Sequence, residues 1–85
     1  EPWAPGGFAS LTEGDFEVLR NCAPEVVLLG TGARQRFPSP VLLRPLIEAG
    51  IGCEIMDLAA ACRTFNILVA EGRRVAAALL IEAQA

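Results

Sequence analysis

The residues best suited to chemistry lie in two short stretches, Gly30-Thr31-Gly32-Ala33-Arg34 and Cys62-Arg63-Thr64-Phe65-Asn66. Glycines on both sides of Thr31 allow close backbone approach, and successive amides can form an anion-binding concavity. Arg34 and Arg36 stand beside them, and a guanidinium gives an anion a charge-assisted hydrogen bond. Arg63 and Asn66 are three positions apart, so they share a face if that stretch is helical. These types and spacings predict recognition of a small anion. The Gly30, Thr31 and Gly32 backbone would hold it with Arg34 and Arg63, and Asn66 would orient it. The alternative is structural: a tight turn at the glycines, solvated arginines at 34 and 36, Arg63 paired with Asp57 or Glu54, and Asn66 bonded to a loop. The structural alternative is the simpler of the two.

Sharper chemistry is not supported. A dinucleotide fingerprint needs a third glycine, and position 35 is Gln. No helix starts directly after Gly32, so a phosphate loop is excluded as well. Cys62 beside Arg63 could have its thiol pKa lowered. The chain has no His, however, and no second Cys close by to resolve a sulfenate or disulfide. All seven basic residues are Arg, so Schiff-base lysines and the Ser/His and Cys/His nucleophile pairs are ruled out. Three scattered cysteines without His make a poor metal set. Accordingly no catalytic residue, metal or cofactor is assigned.

The balance of seven basic against ten acidic residues, a net charge of -3, argues against nonspecific nucleic-acid binding. Hydrophobic residues make up 53% of the 85 positions, enough for a core, with apolar surface to spare for a partner. Cys22, Cys53 and Cys62 form no C-x-x-C pair, which points to free thiols acting as core filler in a reducing compartment. That compartment is the cytoplasm, or the mitochondrion if a targeting segment preceded residue 1. The longest apolar run, Val75 to Ile81, falls far short of the roughly 20 residues of a membrane span.

The elements that must position the two stretches read as a single domain over 1–85. Residues 1–10 form an irregular lead-in, with Trp3 and Phe8 as anchors. Thr12 and Asp15 form a capping box for a helix over about 13–22, Leu11 and Phe16 a staple across it, and Pro24 follows its end. Glu25 to Leu29 is a β-prone apolar run, as in a parallel strand buried on both faces. Ser39-Pro40 opens a second helix whose first turn Pro45 should make irregular or 3₁₀-like, with Gly50 as its stop. Residues 51–56 read as a second strand. Asp57 caps a third helix with Ala61, Phe65, Leu68 and Val69 on its inner face, and Gly72 ends it. Glu71 and Arg74 are placed to pair across that turn. Residues 75–81 read as a third buried strand, weakened by three alanines. Two consecutive βαβ units follow, and with them a three-layer α/β sandwich around a small parallel or mixed sheet.

The segments Leu28-Leu29-Gly30-Thr31-Gly32, Gly50-Ile51-Gly52 with Glu54 and Met56-Asp57, Ala61 to Leu68, and Glu71 to Leu79 together resemble the Mth-domain family of unknown function. Arg63-Thr64-Phe65-Asn66 with Glu71-Gly72-Arg73-Arg74 is the specific part. The likeness covers roughly Trp3 to Ile81. One departure is Leu58, where the family often has Thr. The resemblance implies a mixed sheet with further strands N-terminal to Trp3, and for the mitochondrial branch a part in assembling respiratory complex I. The resulting expectation is a non-catalytic protein-interaction or assembly module that binds a protein partner or itself. A small-anion binder or enzyme using the Gly30–Gly32 loop is the alternative.

Overall fold

A computed structural model describes Phe8 and residues 11–80. In chain order, α1 spans Glu13–Asn21 and β1 spans Val26–Gly30. A 3₁₀ turn over Pro40–Leu43 runs into α2, Arg44–Glu48. Then come β2 (Gly52–Met56), α3 (Leu58–Ala70) and β3 (Val75–Leu79). The three strands form one parallel sheet in the order β2-β1-β3. Val26 of β1 is level with Gly52 of β2 and Val75 of β3.

Successive strand residues point to opposite faces, and the chain uses both. Val27 and Leu29 of β1, with Ala78 and Leu80 in and just after the third strand, join Phe16 and Leu19 of α1 and Leu46 of α2 in the main core. Gly30 faces the other way: a Cβ there would lie 3.1 Å from the Ala61 Cβ of α3 and 3.1 Å from Leu79 Cδ2. Leu28 is fully buried and shares that second side. The sheet is therefore covered by α1 and α2 on one face and by α3 on the other, as two oppositely directed βαβ crossovers require.

Local chemistry explains where the elements begin and end. The Thr12 side chain accepts from the Asp15 amide, and the Asp15 carboxylate accepts from the Thr12 amide at 2.8 Å, completing the capping box. Phe16 and Leu11 are both buried beneath it. The Asp57 carboxylate accepts from the Ala60 amide at 2.8 Å and starts α3. Gly72 stops that helix at φ +81, a conformation that costs other residues a Cβ clash. The second helix does begin as a 3₁₀ turn. Ser39, though, donates and accepts no capping side-chain bond, because prolines at the starts of the turn and of α2 leave fewer amides to cap.

Several expectations need correction. Val69 is 48% exposed, because it lies about 80° around α3 from the buried Ala61, past the rim of a three-stranded sheet. β3 is only partly buried, with Ala77 exposed, since it forms an edge of the sheet. Of the three free thiols, Cys22 and Cys62 are exposed and only Cys53 is half-buried. Phe8 packs against the core as expected; Trp3 lies outside the described residues.

Candidate functional site

Reversal of strand order at β1 puts the loop after it, residues 31–39, at the carboxyl edge, where open α/β sheets bind ligands. Thr31 organises this loop. It is fully buried, and its hydroxyl lies 2.8 Å from the Arg34 carbonyl and 3.3 Å from the Met56 carbonyl, to which it can donate. The same oxygen accepts from the Arg36 amide at 2.9 Å. Backbone groups of the Gly-Thr-Gly segment are likewise committed to the sheet and to α3. The Thr31 amide donates to the Met56 carbonyl at 2.9 Å. The Gly32 carbonyl accepts from the Leu58 amide at 2.7 Å, and the Gly30 carbonyl from the Leu80 amide at 2.8 Å. The Gln35 side-chain amide donates to the Ile55 carbonyl at 2.8 Å. The loop is thus tied to the junction of β2 and α3.

The two arginines after the glycines differ. Arg36 is half-buried; its guanidinium donates to the Thr31 carbonyl at 3.0 Å and stacks over the Phe8 ring at 4.7 Å from the centroid. That geometry gives both a charge-assisted hydrogen bond and a cation–π contact. Arg34 is exposed, and no ion pair engages it among the described residues.

In α3, Ala61 is the fully buried contact with β1, and Phe65 and Leu68 are half-buried on the same side. Arg63 follows Ala61 by about 200° of helical turn, so it projects to solvent and is exposed. Neither Asp57 nor Glu54 pairs with it among the described residues. Asn66 faces β3, where Cys62, Phe65, Asn66, Ala77 and Leu79 line an open groove of about 350 Å³. That groove is mostly apolar and holds neither Arg63 nor any residue of the Gly30 loop. Of the six anion-site candidates, Gly30, Thr31, Gly32 and Arg34 thus sit together at the sheet's carboxyl edge. Arg63 and Asn66 lie on α3, about 60° apart around the helix, Arg63 in solvent and Asn66 lining the groove. Val69, one turn along α3 from Phe65, extends the groove side and is 48% exposed, whereas Ile67, 58% exposed, lies about 200° away on the opposite side of the helix.

The clamp between β1 and β3 is a feature that sequence reasoning missed. Glu25, not Glu71, holds the turn after α3. Its carboxylate accepts from the Arg74 amide at 3.0 Å and pairs with the Arg73 guanidinium at 3.3 Å. The Arg74 hydrogen bond, and after it the Arg73 charge, hold the Glu25 carboxyl below its ordinary value of 4.5. The residues that meet are about fifty positions apart, and only the strand order brings them together. At Cys53, burial first and the Glu54 charge second push the thiol up to about 11. It is therefore a poor nucleophile at neutral pH. No group of three or more metal-ligating side chains converges among the described residues.

The architecture defines a small doubly wound α/β domain, with a self-tied loop at its carboxyl edge and an apolar groove beside its longest helix. The chain belongs to a family described as proteins of unknown function (DUF498/DUF598), whose profile matches residues 1–80. It is 39% identical over 80 residues to NADH dehydrogenase [ubiquinone] 1 alpha subcomplex assembly factor 3 of Bos taurus. That match covers 92% of this chain and 44% of the bovine protein, so the chain spans less than half the length of this relative. Among solved structures, a Bordetella parapertussis protein shares 47% identity with a TM-score of 0.86, over 94% of this chain and 69% of that one. A Bordetella pertussis protein described as a Mth938-like domain shares 55% identity with a TM-score of 0.65, over 73% of this chain and 39% of its own. These likenesses establish the Mth-type α/β fold and relatives named as complex assembly factors.

Proposed function

We propose that the domain is a non-catalytic protein-interaction module that assists assembly of a multi-subunit NADH dehydrogenase, with the groove side of α3 as its docking face. The observation that carries this reading is the exposure of Val69 beside the apolar groove of Cys62, Phe65, Asn66, Ala77 and Leu79. Exposed apolar area of this kind is a common mark of a protein contact. The name of the bovine relative supplies the class of partner. No group of three or more metal-ligating side chains competes with this reading among the described residues.

The test is affinity capture of the full-length protein from its own cells, with detection of NADH dehydrogenase subunits and of the assembled complex on native gels. Wild-type protein should retain subunits, and the Val69→Lys variant should lose them while remaining folded. Capture of no subunit by the wild type would remove the assembly role.

A second reading, small-anion binding at the Gly30–Gly32 loop, draws on the exposure of Arg34 and Arg63, neither of which has an ion-pair partner among the described residues. Titrating phosphate and small carboxylates against backbone amide shifts tests it. Absence of movement at Gly30, Thr31 and Arg63 would eliminate it.

A further inference from the structure

We draw no further inference here: the strongest candidate, the apolar groove between α3 and the outer edge of β3 lined by Cys62, Phe65, Asn66, Ala77 and Leu79, belongs to the surface already described, and nothing in the structure shows what covers it.

Discussion

The two faces of the sheet are finished differently. On the α1/α2 face, Phe16, Leu19, Val27, Leu29 and Leu46 are at most 5% exposed. Two short helices, nine and five residues long, suffice to close that side. On the other face α3 has thirteen residues, yet only Ala61 of them is fully buried. The contact there is made by small groups, Ala61 against Gly30, with Leu58 and Leu79 close by. Small residues bring the helix near the sheet, Phe65 and Leu68 stay half-buried, and Ile67 and Val69 are left exposed on opposite sides of α3. One face is a core; the other is half core and half surface. A domain of this size has little stability to spare, so the closed face must carry most of it.

Substitutions can break this contrast or sharpen it. The largest loss is expected from Phe16→Ala on the closed face. Removing a fully buried Phe costs about 3–5 kcal/mol, enough to unfold most of the population. Urea titration followed by circular dichroism measures this. A loss under about 1 kcal/mol would place the core elsewhere. Next is Gly30→Val, where even the first added carbon meets Ala61 and Leu79 at 3.1 Å. Overpacking of this kind costs about 1–3 kcal/mol. Combining it with Ala61→Gly should recover part of the loss, read as a coupling energy in a double-mutant cycle. Additive effects would show that α3 does not rest on Gly30.

Smaller effects come from the ends of the elements. Thr12→Ala removes the α1 cap and should cost about 1 kcal/mol in the same titration. The Glu25 clamp has a pH signature. Because its folded pKa lies below the ordinary 4.5, its stabilisation is present above that value and is lost as pH falls through the folded pKa. Wild type and Glu25→Gln should therefore differ in thermal midpoint at neutral pH and converge in acid. A constant difference across that range would mean that the carboxylate charge plays no part.

Much of the fold was legible because local rules and packing agree in it. Thr12 with Asp15, Asp57, Gly72 and the apolar run of β1 each announce an element boundary or type. Less of the candidate site was legible. Spacing put Arg63 and Asn66 on neighbouring parts of a helix, but not which side would meet the sheet. Ala61, the smallest apolar residue available, settles that by fitting over Gly30. The same choice turns Arg63 outward and Asn66 toward β3. Val69 misled because periodicity marks a side as apolar without saying whether anything covers it. Glu25 gave no local signal at all, since its partners Arg73 and Arg74 are neighbours only through the β1–β3 pairing. Thr31 stood out as part of a loop motif, while its bonds to Arg34, Arg36 and Met56 depend on how that loop folds back.

The smallest expected change in stability belongs to the most informative variant, Val69→Lys in the full-length protein. Val69 is 48% exposed, and lysine suits the last turn of a helix. Its unfolding free energy from urea titration should stay within about 0.5 kcal/mol of wild type. Capture of NADH dehydrogenase subunits should be lost. Retained capture at wild-type level would contradict the account, because the open side of α3 would then not be the docking face.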